Sequence, residues 1–467
     1  MEQFDVAILG GGPAGYPAAV RGAQLGGRIC VIERERLGGV CLNWGCIPTK
    51  TFVAAADVLR KCRRAGEFGI AIDGTVRFEL EKLIARKDKI VEDLVKGVHG
   101  LFKSWRITLV EGNGVLESKD TVRVSKKDGS TLEVRARNIL IATGSRPAAI
   151  PIFPIDERTI LSSDGALSIS EIPGSILIVG AGVIGCEFAC IFSEFGSKVT
   201  MVEMLERALP LEDEDMSKGI ERELRKKKIR VVTGTKVASV KESPEGRKVA
   251  TIETGEEIVT DRILVSIGRT PNSDGIGLET IGVETGRGRA ILVNKKMETN
   301  VKGVYAAGDV IGGLMLAHVA TAEGLIAVEN AVTGKGREIS YRTVPSGIFT
   351  DPEIGTVGLK EKEAREKGIP VKVGRFLYRL LGKSHAIGEI AGEVKLIADA
   401  STDVVLGAHI LGAHATDIVH EAALAVELGA KTQELADMIH AHPTLSEALQ
   451  EAAHDVHGLA IHTPPKK

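Results

Sequence analysis

Phe4-Asp5-Val6-Ala7-Ile8-Leu9-Gly10-Gly11-Gly12-Pro13-Ala14-Gly15 opens the chain on an apolar run that breaks into a glycine turn. Such a run reads as a strand, and the helical spacing that follows to about Leu25 precedes a second apolar run, Arg28 to Glu33. Strand, Gly-rich turn, helix and strand make a βαβ unit. In it Gly10 permits the tight turn, Gly12 lets backbone approach a pyrophosphate, and Gly15 lets helix and strand pack closely. Beyond Pro13 and Ala14 the helix N-terminus offers free N–H groups and positive potential to phosphates. Glu33, ending the second strand, can accept hydrogen bonds from ribose hydroxyls. Pro17 departs from the pattern, because it removes an N–H from the early helix.

The same grammar returns. Ser175 to Val179 leads into Gly180-Ala181-Gly182-Val183-Ile184-Gly185, a helix to about Phe195, and a strand Lys198 to Glu203. The acidic residue stands at the same distance from the first glycine in both copies, so the chain holds an internal repeat of a dinucleotide-binding unit. Glu203 selects between nicotinamide cofactors: a carboxylate bonds a free 2′-hydroxyl and repels a 2′-phosphate, which favours NAD over NADP. Arg207 is the cation close by in sequence.

Outward from these units, a chain of 467 residues exceeds one hydrophobic core and suggests about three domains. With 60 basic against 62 acidic residues there is no field to attract nucleic acid or anionic lipid, and neither is an expected partner. The longest apolar stretch, Ser175 to Phe192, contains Glu187 and turn-spaced glycines, and reads as strand, turn and buried helix rather than a membrane span. The acidic N-terminus shows no presequence, so a cytoplasmic protein is expected.

Between the repeats Phe78 to Lys103 has helical periodicity, followed by short strands near Thr108 to Val115, Thr121 to Val124 and Asn138 to Thr143. Turn chemistry from Arg146 to Pro154 and again at Pro271-Asn272 marks two boundaries. Val304 to Asp309 looks like a return to the first unit, and from Thr343 strands alternate with helices without a phosphate loop. The expected fold class is therefore α/β, with two Rossmann-like dinucleotide-binding domains and a C-terminal α+β domain. The expected segments are 1–148, 149–272, a return over 273–342, and 343–467.

Directly after the first unit comes Leu37-Gly38-Gly39-Val40-Cys41-Leu42-Asn43-Trp44-Gly45-Cys46-Ile47-Pro48-Thr49-Lys50. Two thiols five residues apart lie about 140° apart around a regular helix, so a bond between them needs an irregular turn, which Gly45 and Pro48 supply. A following helix would lower a thiol pKa at its N-terminus. From spacing alone, two reduced buried cysteines remain the alternative. Cys30, Cys62, Cys186 and Cys190 lack such a setting and read as small packing residues. Near the C-terminus, His440-Ala441-His442-Pro443-Thr444-Leu445-Ser446-Glu447 offers an imidazole base that precedes proline and a carboxylate that begins the next helix. A surface pair or a satisfied core histidine is the competing reading. No metal site is expected.

These motifs resemble the pyridine-nucleotide disulfide oxidoreductases over essentially the whole chain. The resemblance rests on both fingerprints, Gly38 to Lys50, Ala142-Thr143-Gly144-Ser145, Ile267-Gly268-Arg269-Thr270-Pro271-Asn272, Ala307-Gly308-Asp309 and His440 to Glu447. It implies that the first unit and its return bind FAD and the second binds NAD. It makes Cys41 the interchange thiol and Cys46 the thiolate against the flavin. It pairs Lys50 with Glu187 near the flavin, sets Asp309 on the ribityl chain, and brings Gly39, Val40, Thr143, Gly144, Gly308, Gly114 and Ala317 to FAD. Val237, Gly268 and Arg269 fall to the NAD side. Val40 and Thr49 stand where the signature usually has Thr and Ser.

The resemblance further implies a homodimer built on the C-terminal domain, with His442, steadied by Glu447, acting on the partner subunit's disulfide. Its most similar branch oxidises dihydrolipoamide carried on the lipoyl domain of an acyltransferase, or on a glycine-cleavage lipoyl carrier, and reduces NAD. Rival readings are another NAD(P)H-dependent flavoprotein disulfide reductase and a flavin-bearing assembly subunit of a 2-oxo acid dehydrogenase complex. Glutathione-type reductases favour NADP, which Glu203 opposes. Mercuric reductase and the larger thioredoxin reductases need C-terminal cysteines, and none follows Cys190.

Overall fold

A computed structural model describes residues 3–464. Its first sheet is built on the strand Gln3–Leu9, which lies parallel to Ile29–Glu33 on one side and to Thr131–Ile141 on the other. Phe4, Val6, Ala7, Ile8 and Leu9 are all buried, as expected of a central parallel strand covered on both faces. The sheet runs Thr108–Glu111, Ile29–Glu33, Gln3–Leu9, Thr131–Ile141, Thr121–Ser125, Asn113–Ser118. Val304–Ala306 joins it beside Thr131–Ile141, so the late segment folds back onto the first unit.

The second sheet repeats the plan with five parallel strands in the order Arg230–Val232, Lys198–Val202, Ser175–Val179, Arg262–Val265, Ile160–Leu161. A three-stranded antiparallel sheet, Val237–Glu242, Lys248–Ile252 and Glu257–Thr260, packs on it through Val237, Ala250 and Ile252. Ser145–Pro147 and Arg269–Pro271 pair as a short antiparallel ribbon between the two units.

The C-terminal unit is a five-stranded antiparallel sheet, ordered Ser346–Ile348, Glu353–Gly358, Val405–Gly412, Glu393–Asp399, Val371–Leu377. The helices Ala415–Leu428 and Glu447–Val456 bury Ala and Val residues against it. The α/β class with two nucleotide-type sheets and a C-terminal α+β unit is the fold observed. Among the described residues no helix is long and apolar enough to cross a membrane.

Two local expectations differ. The run Thr108 to Val115 is two strands parted at Gly112, because Thr108–Glu111 pairs with Ile29–Glu33 while Asn113–Ser118 turns to pair with Thr121–Ser125. The strand expected from Asn138 starts at Thr131, where antiparallel pairing with Thr121–Ser125 extends it. Pro17 falls in the first turn of the helix Gly15–Gln24, just after Tyr16 bonds the Gly12 carbonyl, and the Pro13 carbonyl that its missing N–H leaves open accepts the Thr321 hydroxyl at 2.9 Å.

Candidate active site

The helix Gly15–Gln24 starts at Ala14 with no side-chain cap and no acid in its first turn. Val183–Glu194 starts at Gly182 in the same way. The Val183–Glu194 N-terminus therefore keeps free N–H groups and positive potential for an anion, while at the first helix the Gly15 and Tyr16 N–H groups bond the Gly12 carbonyl at 2.9 and 3.0 Å and the positive potential of the helix end remains. In each, a glycine sits where any side chain would strike the turn: a Cβ on Gly15 would lie 1.9 Å from the Gly10 carbonyl oxygen, and one on Gly185 2.0 Å from that of Gly180. The carboxylates at the strand ends are held alike. Glu33 accepts the Gly11 N–H at 2.7 Å and the Glu35 N–H at 2.8 Å, and Glu203 accepts those of Ala181 at 2.6 Å and Leu205 at 2.8 Å. Each oxygen retains a lone pair for a ribose hydroxyl. Burial raises the Glu33 carboxyl, and the two backbone bonds offset part of that rise.

Arg207 is turned to other work. Its Nη2 donates to the carbonyls of Pro210 at 3.2 Å and Glu212 at 3.4 Å, and its Nη1 pairs with Glu214 at 3.3 Å. Glu203 thus faces the second site without the cation that a 2′-phosphate would require.

Cys41, on the short helix Gly39–Asn43, is joined to Cys46 by a disulfide, with the Cα atoms 4.7 Å apart. Cys46 is the first residue of the 18-residue helix Cys46–Arg63. Its sulfur therefore stands at a helix N-terminus, where a thiolate is stabilised. Asn43 fixes the turn by donating to the carbonyls of Leu37 and Gly39, both at 3.0 Å. One turn beyond Cys46, Lys50 reaches both oxygens of Glu187, at 2.9 and 2.8 Å. Glu187 is only 3 % exposed and also accepts the Phe349 N–H at 2.9 Å, while the Phe349 ring lies 4.3 Å from the Lys50 ammonium. The other four cysteines are unpaired, and burial pushes the Cys30 thiol to about 12 and that of Cys190 to about 11, which leaves both inert.

Asp309 accepts the Ser145 hydroxyl at 2.5 Å. Arg269 holds that serine through Nε to Oγ at 2.6 Å and Nη2 to its carbonyl at 2.9 Å, and lies 3.8 Å from Asp309. Thr143 and Asn272 exchange hydrogen bonds at 2.8 and 3.0 Å, tying the Thr143-Gly144 turn to the Pro271-Asn272 turn; Gly268, just before Arg269, accepts the Ala148 N–H at 3.0 Å. Gly114 lies against Ile32, Ala317 begins the helix Ala317–Thr333, and Val237 is buried at the start of its strand.

The two histidines of the C-terminal motif part company. The His440 side chain is 4 % exposed, held between Glu421 at 2.8 Å and the Met438 carbonyl at 3.0 Å. His442 is 78 % exposed, with Nδ1 2.8 Å from Glu447, which leaves Nε2 to take a proton. The Thr444 N–H bonds the other Glu447 oxygen at 2.7 Å. Partial burial works against charge on Glu447, but these two bonds outweigh it and hold the carboxyl below its ordinary value. Among the described residues neither bridge sulfur hydrogen-bonds to His442, which belongs to the C-terminal unit. Sequence reasoning missed Phe349 and Ser145 as partners of this site. Phe349 stands 162 positions from the carboxylate it meets, and no local pattern announces it.

Residues 4–324 match the family model described as pyridine nucleotide-disulphide oxidoreductase, and residues 344–453 match that family's dimerisation domain. The chain belongs to the pyridine nucleotide-disulphide oxidoreductases. A dihydrolipoyl dehydrogenase of Bacillus subtilis is 42% identical, over 98% of this chain and 99% of its own length. A mitochondrial dihydrolipoyl dehydrogenase of Arabidopsis thaliana is 41% identical, over 99% of this chain and 92% of its own. Among solved structures, LpdA of Mycobacterium tuberculosis superposes with a TM-score of 0.90 at 30% identity, covering 97% of this chain and 99% of that one.

This oxidoreductase family uses FAD and NAD, and the two uncapped helix N-termini with their strand-end carboxylates fit two dinucleotides. The match to the dimerisation domain supports a homodimer. On that domain Leu424, Leu428 and Ile439 are 60, 74 and 95 % exposed, an apolar surface suited to a second copy.

Proposed function

We propose that this oxidoreductase oxidises protein-bound dihydrolipoamide to lipoamide and reduces NAD+, with Cys41 and Cys46 as the exchanging pair. The observation that carries the reading is the Cys41–Cys46 disulfide at the head of the helix Cys46–Arg63, immediately after the first dinucleotide unit. The dihydrolipoyl dehydrogenases that match nearly end to end support the choice of dithiol.

His442 Nε2 takes the proton of one substrate thiol, and Glu447 steadies the imidazolium that forms. The substrate thiolate attacks the Cys41 sulfur, the Cys41–Cys46 bond breaks, and Cys46 leaves as a thiolate at its helix N-terminus. The second substrate thiol then displaces Cys41 from the mixed disulfide, closing the lipoyl ring and leaving the protein with both cysteines reduced. Bound FAD supplies the two-electron route from that dithiol to NAD+. Gly10, Gly12 and the Gly15–Gln24 N-terminus would hold its pyrophosphate, Glu33 its ribose, Asp309 its ribityl chain, and the Lys50–Glu187 pair would lie near its reactive ring. Glu203 and the Val183–Glu194 N-terminus would hold NAD, with Val237, Gly268 and Arg269 beside it. The exposed position of His442 suits a base that serves the partner copy's bridge, and the substrate would arrive on a separate lipoyl domain in the cytoplasm.

Cys41→Ser and His442→Gln proteins, assayed for dihydrolipoamide-dependent NAD+ reduction, test this route. Both should lose turnover while still binding flavin. Full turnover by Cys41→Ser would exclude the dithiol route, and by His442→Gln would exclude this base.

A further inference from the structure

The turn that presents Asp309 is held from behind by a buried carboxylate outside the family motifs considered above. Glu323, on the helix Ala317–Thr333, is 4 % exposed. Its Oε2 accepts the Gly308 N–H at 2.8 Å, and its Oε1 accepts the Tyr341 hydroxyl at 2.7 Å. Gly308 has φ +78°, and a Cβ there would lie 3.1 Å from that of Ala14 and 3.3 Å from that of Ala320. The turn is thus squeezed between the first fingerprint and this helix, in a conformation that glycine alone adopts cheaply.

The same helix grips the fingerprint itself. Thr321 Oγ1 donates to the Pro13 carbonyl at 2.9 Å, and a Cβ on Gly324 would lie 2.1 Å from the Ala14 carbonyl oxygen. Gly308 leads straight into Asp309, whose carboxylate is oriented by Ser145 and Arg269. Burial raises the Glu323 carboxyl, and the Tyr341 and Gly308 donors counter that rise. A carboxylate placed in so dry a position, with both oxygens committed, has a positioning task.

We propose that Glu323, backed by Tyr341, is a positioning residue of the flavin site: by accepting the Gly308 N–H it fixes the Gly308-Asp309 turn in the conformation that receives FAD. The inference rests on the flavin reading and adds a residue to it. Leucine at position 323 fills similar space but leaves the Gly308 N–H without its charged acceptor. Glutamine can still accept from Gly308 through its carbonyl and donate to the Tyr341 oxygen through its amide.

The test compares wild type, Glu323→Leu, Glu323→Gln and Tyr341→Phe holoproteins. FAD affinity is measured by rebinding to each apoprotein, and Gly308 amide exchange by mass spectrometry on each holoprotein. Losing a hydrogen bond to a charged group should weaken FAD binding about 10- to 100-fold in Glu323→Leu and speed Gly308 exchange, while Glu323→Gln stays near wild type. Tyr341→Phe should fall between them. Equal affinity in Glu323→Leu and wild type would overturn the proposal, as would a loss in Glu323→Gln as large as in Glu323→Leu. Should Glu323→Leu not fold, Glu323→Gln and Tyr341→Phe decide it, since the proposal requires the first to bind FAD more tightly than the second. Wild type that takes up no FAD would instead sink the flavin reading.

Discussion

Replacing Glu447 with glutamine should separate the two halves of the proposed reaction. In the structure one carboxylate oxygen accepts the Thr444 N–H at 2.7 Å and the other meets His442 Nδ1 at 2.8 Å. Glutamine offers one acceptor and one NH2, so it satisfies one of these groups and sets a donor against the other. With its oxygen on Thr444, its amide faces Nδ1 and selects the tautomer protonated at Nε2, which cannot take a proton from a thiol. With its oxygen on His442, the Thr444 N–H loses its acceptor and the loop that aims the imidazole loosens.

A hydrogen bond to a charged group contributes about 1.5–3 kcal/mol. The value of kcat/KM for dihydrolipoamide should therefore fall roughly 10- to 150-fold. The assay runs dihydrolipoamide-dependent NAD+ reduction beside NADH oxidation by an artificial electron acceptor, which draws on the nucleotide and flavin sites and bypasses the disulfide. The second rate should hold at the wild-type value. A Glu447→Gln enzyme with undiminished dihydrolipoamide turnover, or one that loses both rates equally, would refute the reasoning.

Lys395→Met should be costly at neutral pH, because Lys395 is 2 % exposed and bonds Asp213, Asp215 and Glu361 at 2.6 to 3.0 Å; its loss strips buried Asp213 of its ammonium partner and leaves Asp215 and Glu361 with only Arg375 and Arg365, at about 3–5 kcal/mol. In the native protein burial works against charge on Asp215, but Lys395 and Arg375 outweigh it and bring the carboxyl to about 2; burial of Asp213 is likewise outweighed by His409 and Lys395, and that of Glu361 by Lys395 and Arg365, and both carboxyls lie below their ordinary values. The stability these depressed carboxyls contribute is present above their ordinary values and lost as pH falls through the folded ones, so the cost of Lys395→Met should be smaller at about pH 3 than at pH 7. Urea unfolding at the two pH values checks this, and an unchanged cost would contradict it. Glu203→Ser should weaken NAD+ about tenfold by removing a hydrogen-bonded carboxylate and should narrow the preference over NADP+ by more than that, since the repulsion of a 2′-phosphate goes with it. Steady-state KM values for both nucleotides read the change, and an undiminished preference would place the discrimination elsewhere.

What could be read from the chain was local. The two glycine turns, their strand-end carboxylates and the Cys41 to Cys46 turn each lie within a few dozen residues, so spacing alone carries their geometry, and the α/β class followed from their repetition. The contacts that hold these pieces in place were invisible because they join distant segments. Lys395 meets Asp213 from 182 positions away, and Phe349 meets Glu187 from 162. Gly308 and Glu323 are 15 apart, but only the packed helix turns that carboxylate toward the amide. His440 and His442 look alike in sequence, and burial against Glu421 is what removes the first from contention. The split at Gly112 was hidden for a related reason, since an apolar run does not say which strand each half will pair with.

The central claim is that the Cys41–Cys46 pair exchanges electrons with a bound flavin on behalf of a dithiol substrate and NAD. Anaerobic titration of the purified protein with dihydrolipoamide, NADH and NADPH in separate cuvettes tests it most directly. A long-wavelength thiolate–flavin absorption band should grow with dihydrolipoamide and with NADH but not with NADPH. A protein that carries no flavin, or whose flavin spectrum dihydrolipoamide leaves untouched, would contradict it.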